Sequence, residues 1–486
     1  MFYTQRTSLW IGMALAITMF VGNHDAVAQF GGGQGGGQGG GFGGQGGGFG
    51  GQGGQGGQGQ QGGGAGVIVS PDGVLRVRQI DPRLTRKRVD AAKAALNQKV
   101  ARPSKLRKVS LNRLEAVIAE RLANGQAVTE DMKFMAGMTR IQNIFFYPET
   151  GDIVLAGPAE GYAVDPSGRP IGVVSGQSVM ELQDLIVAMR AFPPTGQRAN
   201  VISVSIDPTR EGLQRMQQFL VGLGGRALPR DTARITNGLQ KSLGLQTVTI
   251  GGISPKTHFA QVLVEADYRM KLIGIGLEKP PVKIISYASR ANPRDVARNA
   301  LQRWYFIPDY ECVRVSDDET AMELVGDGVK LIGADELVQA DGGRVAAQRV
   351  DRAGKAFVQS FTAQYPQLAI KSPVYGQLRN LIDMSIAAAF IQKQDYYGQS
   401  GWSMKVFADE NLLPVNNYTT PDKVETAVNA IWKGTTLMTP IGGGVNIQPT
   451  MALATERLLS DDDGNLKKVR LDVGTPQLPK GQWWWD

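Results

Sequence analysis

Cysteine and histidine are nearly missing from this chain of 486 residues: Cys312 stands alone, and His24 and His258 are its two histidines. A single thiol forbids an intramolecular disulfide, so stability must come from buried apolar surface, which a chain of this length can supply. Zinc sites built from several Cys and His ligands are excluded. A Ser-His-Asp or Cys-His nucleophile system would have to draw its base from the same two imidazoles. Long apolar runs are scarce as well. The nearest approach outside the N-terminus, Ile382–Ile391, falls short of the roughly 20 residues a bilayer demands, so no membrane span is expected. Phosphate loops are absent: Gly222–Gly225 and Gly274/Gly276 do not stand between a strand and a helix in the G-x-G-x-x-G pattern, and no P-loop lysine follows them. No cofactor motif is left.

What is present begins with export. Arg6 precedes an apolar core, Leu9–Val21, and Ala26-Val27-Ala28 is a small-x-small cleavage signal. Residues 1–28 read as a signal peptide cut between Ala28 and Gln29, with the product in the periplasm, the cell envelope or the medium. Cleavage would remove His24 and leave His258 as the one imidazole, in the first turn of a helix, where capping or solvent exposure is the common role. Residues 29–66 are Gly and Gln with Phe30, Phe42 and Phe49, and GGFGGQG recurs at a seven-residue spacing. So much glycine costs too much backbone entropy to pack, which predicts a disordered linker, either a spacer or an adhesive tract.

Positive charge is concentrated. Arg76–Arg113 holds thirteen Lys or Arg and two acids, whereas the whole chain carries only +8. Arg83, Arg86, Lys87, Arg88, Arg102, Lys105, Arg107 and Lys108 are candidates for binding an anionic surface, an envelope polymer or a membrane. The plainer alternative is a solvated helix face. The block has no aromatics for base stacking and matches no nucleic-acid motif, so no nucleic acid partner is expected.

Strand-like and helical patterns are mixed throughout. They predict an α+β (mixed α/β) fold of several small sheets packed by helices, behind the disordered Gly/Gln-rich tract. Three regions follow: an N-terminal α+β domain with a basic helical start (67–195), a central α/β domain (196–345), and a C-terminal helical and hairpin region (346–486). In the first, Ser70-Pro71-Asp72-Gly73 turns a hairpin between Val67–Val69 and Val74–Arg78. Helices are expected at Leu84–Val100, Ser110–Ala123 and Thr129–Gly137. One antiparallel sheet is expected from Arg140–Tyr147, Ile153–Ala156, Tyr162–Val164 and Ile171–Val174, and Ser178 with Glu181 forms a capping box opening a helix to Arg190. In the second region, strands are expected at Val201–Ile206, Thr247–Ile250, Val282–Tyr287 and Tyr310–Ser316. Met322–Val325 and Val329–Ile332 read as a hairpin through Gly326-Asp327-Gly328. Helices fill Asp207–Gly222 and Asp231–Ser242, and Asn292-Pro293 caps one running to Trp304. In the third, Ala353–Ala363, Pro373–Gln394 and Lys423–Trp432 read as helices, the second with one apolar stripe and an Arg379–Asp383 pair. Gly442–Gly444 bends a sheet segment. Asp461–Asn465 fails the EF-hand template, having Leu466 where glycine is needed, and reads as a hairpin turn before Lys467–Val473. Trp483–Trp485 can dock as a C-terminal plug or face a glycan.

Phe259–Glu278 mixes acid, base and apolar residues most densely. It carries both a helical and a strand periodicity, and its length favours a helix, opened at Ser254-Pro255. Glu265 then meets Arg269, and Asp267 meets Lys271, each at i, i+4, as stripes flanking a buried seam. On a strand the same four would share one face and line a cleft. The run VEADYRMKLIGIGLE resembles the central motif of secreted planctomycete proteins grouped as a family of unknown function; PIGGGVNIQP at 440–449 and WWWD at 483–486 agree. The resemblance implies a bacterial, exported protein and brings no catalytic residues with it.

The function expected from these features is an exported, non-catalytic structural or binding protein of the envelope or medium. A rival comes from Asp309, Glu311, Asp317 and Asp318, clustered after Trp304-Tyr305-Phe306: a hydrolase of polysaccharide working through paired carboxylates. Exposed turn acids are the plainer account of that cluster.

Overall fold

A computed structural model describes residues 67–69, 74–77, 82–223, 229–291, 300–338, 344–346, 351–429 and 441–486. The signal segment, its cleavage point at Ala28 and Gln29, the Gly/Gln tract, the turn at 70–73 and the Asn292-Pro293 cap lie outside the described residues.

The fold is mixed α+β, with three sheets packed by helices. A nine-stranded sheet runs Val67–Val69, Val74–Val77, Lys423–Glu425, Leu245–Gly251, Ile202–Asp207, Ile441–Ile447, Ala300–Pro308, Val329–Val338, Arg344–Ala346. A seven-stranded sheet runs Leu459–Ser460, Val313–Val315, Ala321–Leu324, Asn143–Tyr147, Asp152–Ala159, Ser104–Ser110, Trp484–Trp485. Tyr162–Val164 and Pro170–Gly172 make a separate ribbon. Both large sheets take strands from all three regions expected above.

The helices that matter here are α1 (Leu111–Ala123), α2 (Leu182–Ala191), α3 (Arg210–Gly222), α4 (Thr232–Leu243), α5 (His258–Gly274), α6 (Arg352–Lys371) and α7 (Pro373–Lys393). Helix α5 lies on Ile202–Asp207 and Ile441–Ile447, α6 lies on Val329–Val338, and α7 crosses α2, α5 and α6. Every residue of α7 from Val374 to Ile391 is buried, as expected of a helix wrapped by others; the single stripe expected from sequence is corrected to burial on all sides. Phe357, Phe361 and Tyr365 recur at i, i+4 on α6 and meet Trp304 and Phe306 of the sheet. Such ring pairs add about 0.5–1.5 kcal/mol each beyond burial. Gly443 sits between two paired strands at φ 142°, where a β-carbon would fall 2.0 Å from the Trp304 carbonyl oxygen, so only glycine fits there.

The seven-stranded sheet is covered on both faces. Ile144 and Phe146 point to the main core, while Phe145 and Tyr147 join Leu466 and Trp485 on the other side. The C-terminal plug is in place: Trp484 pairs opposite Val109 and Trp485 opposite Lys108.

Several expectations are corrected. The four strands from Arg140 to Val174 divide between the seven-stranded sheet and the ribbon. Ser178 donates to the Pro373 carbonyl at 2.7 Å, so it does not cap α2. Val282–Tyr287 is not a strand; a short helix, Tyr287–Arg290, starts at its end. Residues up to Trp304 are strand, because Ala300–Pro308 pairs along its length with Val329–Val338. Ala321–Leu324 and Val329–Val338 belong to different sheets, so Gly326–Gly328 is a crossover and no hairpin. Lys423–Glu425 is a strand. Asn465–Val473 is a helix whose first N–H groups, of Leu466 and Lys467, donate to Asp461 at 3.0 and 3.1 Å. Asp383 pairs with Arg140, at 3.2 Å, in place of the ion pair with Arg379 expected within α7.

Candidate functional site

Two helix starts meet at one place. Thr257 caps α5: its hydroxyl accepts from the Ala260 N–H at 3.2 Å and donates to the Ser254 carbonyl at 2.9 Å. His258 follows as the first helical residue, and Glu181 precedes the first residue of α2. Asp184, in the first turn of α2, places its two oxygens 2.8 and 3.0 Å from His258 Nδ1. Glu181 Oε1 lies 3.6 Å from His258 Nε2. Glu181 Oε2 accepts from Gln183 Nε2 at 2.6 Å, and the same amide donates to the Tyr418 hydroxyl at 3.0 Å. All three titratable groups are buried. Burial pushes the imidazole down, but the Asp184 and Glu181 carboxylates outweigh it and lift His258 to about 9. Burial raises Glu181. The two helix N-termini, with their partial positive charge, favour carboxylates here.

Glu181 also borders a cleft of about 370 Å³, whose wall includes Phe134, Ile186, Val415, Gln183 and Tyr418. A second cleft of about 500 Å³, walled by Lys105, Arg314, Glu323 and Asp461–Asp463, shares no residue with it. Of the two, the cleft at Glu181 is the one backed by groups with displaced proton affinity, which makes it the candidate site. Sequence reasoning placed His258 at a cap or in solvent; the structure buries it. Its acidic partner Asp184 stands 74 residues away, and no local spacing signals that meeting.

The polar cluster of α5 is present but sealed. Glu265 accepts from Arg269 at 3.3 Å and from Arg169, and Arg269 reaches on to Glu278 at 2.6 Å. Asp267 accepts from Lys271 at 2.7 Å. Lys271 Nζ also donates to the carbonyls of Ile206, at 2.9 Å, and Gly443, at 3.4 Å. Both i, i+4 pairs are as expected, yet they do not flank a seam: Glu265 and Asp267 are fully buried and Lys271 nearly so. Burial wins over Lys271 and holds Asp267 up at about 6, and burial lowers Lys271. These groups bind helix to sheet.

The basic residues separate into two sets. Arg83, Arg86, Lys87, Arg88, Arg102 and Lys105 are exposed, and Arg88 donates to the Asp165 carbonyl at 3.0 Å. Arg107 and Lys108 are buried, which corrects their placement on a binding surface. Arg107 forks onto Asp486 with two bonds of 2.9 Å and reaches the Ala136 carbonyl at 2.6 Å, because Ser104–Ser110 is a strand under the tryptophan plug. Among the turn acids, Asp309 pairs with Lys330 at 2.7 Å. Asp318 is raised by burial, but hydrogen bonds from Thr320 and Ser316 more than offset this and hold it near 2, too low for a general acid. None of Asp309, Glu311, Asp317 and Asp318 lines either cleft.

Fold and site together describe a mixed α+β protein with a cleft backed by a buried imidazole and two carboxylates. Residues 204–287 match the family model described as protein of unknown function (DUF1598), so the chain carries a domain of that kind. The matched span holds His258 and the sealed cluster of α5, while Glu181 and Asp184 lie before it. No curated protein and no solved structure matches the chain.

Proposed function

We propose that this is an exported, non-catalytic binding protein of the bacterial cell envelope, attached to an anionic envelope polymer through the helix Pro82–Ala95. The observation that carries this reading is the charge of that helix: Arg83, Arg86, Lys87 and Arg88 are all exposed on it, while the basic residues farther along the segment are partly folded in. A surface of this kind gathers polyanions by charge and responds to salt. The N-terminal features of a signal peptide are consistent with the same location, and no described helix is long and apolar enough to cross a membrane.

The test is sedimentation of the purified protein with isolated envelopes. Retention at low salt should be lost near 1 M, where the Debye length falls to about 3 Å. It should also be lost in the combined variant Arg83→Gln, Arg86→Gln, Lys87→Gln, with the circular dichroism spectrum unchanged. Absence of retention at low salt removes the reading. Retention on anionic vesicles with none on delipidated envelopes would transfer it to the membrane surface.

A further inference from the structure

We propose that the cleft beside Glu181 is a binding site for a small organic cation, an amine carried on an apolar body, and that the Glu181 carboxylate receives the ammonium group. The site is independent of the basic helix and does not rest on envelope attachment.

The cleft is bounded by two segments that are already fixed. On one side stands the start of α2, with Glu181, Leu182 and Ile186. On the other runs the segment from Leu413 to Tyr418. Arg190 donates to the Leu413 carbonyl at 2.9 Å, and the Tyr418 N–H donates to the Lys256 carbonyl at 3.0 Å, so this segment is held at both ends. A wall anchored in this way needs little ordering when a ligand enters. At about 370 Å³ the cleft stands near the lower end of the range for small-molecule sites, roughly 300–1,000 Å³. It admits one small molecule and no folded partner. Phe134, Ile186, Leu413 and Val415 give it apolar walls, which call for an apolar body on the ligand.

Charge decides the other end of the ligand. The charged residues that line the cleft are Glu130, Lys133 and Glu181. The first two pair with each other at 2.7 Å, which leaves Glu181. Behind it, the His258 imidazolium lies between two carboxylates, 2.8 Å from Asp184 and 3.6 Å from Glu181, so one positive charge answers two negative ones. Arg169, which also acts on Glu181, is engaged by Glu265. Among these groups one negative charge is left over, and Glu181 is the carboxylate that borders the cleft. Burial disfavours that charge, and an ammonium group carried in by a ligand would offset the cost. Phe134 and Tyr418 line the same cleft, and aromatic rings attract cations within about 6 Å of their centroids. A bare inorganic cation makes no use of the apolar walls, and an anionic ligand is repelled by Glu181.

The experiment compares three probes of one shape and different charge on the full chain at neutral pH: phenethylamine, 2-phenylethanol and 3-phenylpropanoate. Binding is read by saturation-transfer NMR and titration calorimetry. Phenethylamine is expected to bind once per chain, about 10-fold or more tighter than the alcohol, with the acid weaker still. Glu181→Gln should bring the amine down to the affinity of the alcohol and leave the alcohol unchanged. Asn416→Trp places a bulky ring at an exposed position on the rim and should weaken amine and alcohol alike. Thermal melts establish that each variant is folded before it is scored. Absence of saturable amine binding by the folded wild type overturns the proposal, and so does an alcohol or acid that binds as tightly as the amine. Unchanged amine affinity in either folded variant overturns it as well.

Discussion

The two ends of helix α5 both bury charge, and only one of them leaves it within reach of a ligand. In the C-terminal half, Lys271 donates to one oxygen of Asp267, whose other oxygen is buried without a hydrogen bond, and it also reaches carbonyls of two strands. At the N-terminus, His258 is held by Asp184 and lies 3.6 Å from Glu181, which borders a cleft. Burial and displaced proton affinity are common to both ends, so neither marks a site by itself. What separates the ends is the cleft that Glu181 borders.

The largest effect should come from breaking the sealed end. Lys271→Met leaves the Asp267 carboxylate buried without its cation and takes donors from two strand carbonyls. A loss of about 3–5 kcal/mol is expected in urea unfolding. Glu181→Gln, at the open end, keeps its shape and should cost about 1 kcal/mol. Equal losses would mean that the two ends are sealed alike.

A smaller effect, on the order of 2–3 kcal/mol in each case, should divide the ends by pH. Asp267 is raised from 3.8 to about 6. The folded chain therefore holds that proton more tightly, and the associated stability is complete below 3.8 and lost as pH climbs through 6. His258 is raised from 6.5 to about 9, so its share is complete below 6.5 and lost as pH climbs through 9. Unfolding free energies should show this by difference. Asp267→Asn should alter the profile only in the lower window and His258→Gln only in the upper one. A variant that changes both windows would join the two ends into a single network.

The part of this arrangement that sequence discloses is the part made by near neighbours. Glu265 with Arg269 and Asp267 with Lys271 were legible because one helical turn brings each pair together. Their burial was not, since it depends on Arg169 and on the carbonyls of Ile206 and Gly443, far away in the chain. The same limit explains the misread elements. Ala300–Pro308 is a strand because Val329–Val338 and Ile441–Ile447 pair with it on either side, and the local cap signal at Asn292-Pro293 says nothing of those partners. Helix α6 continues past Ala363 and through Pro366, held by the sheet and α7 beneath it, where a proline taken alone argues for an end. Arg107 and Lys108 carry the same charge as Arg83 and Arg86, and only the strand they occupy, under the C-terminal tryptophans, takes them out of solvent. Within the site, His258 stands out by its rarity, Glu181 reads only as half of a capping box with Ser178, and nothing local singles out Asp184.

The smallest effect should isolate the open end without touching its charges. Thr257 joins the Ala260 N–H to the Ser254 carbonyl and so fixes the entry of the chain into α5. Thr257→Ala removes both bonds and should lower global stability by about 1 kcal/mol, the usual worth of a helix cap. The local consequence is the sharper test. Freed of its cap, the first turn should open more often than the rest of the helix, so amide hydrogen exchange should quicken at residues 259–261. Exchange at 270–274, where Lys271 ties the helix to two strands, should rise only by the amount that the global loss dictates. If both ends exchange faster by the same factor, α5 opens as one rigid unit and His258 cannot move independently of the sealed pairs. If the first turn alone loosens, the imidazole moves independently of the sealed pairs while the remainder of the helix stays fixed to the sheet.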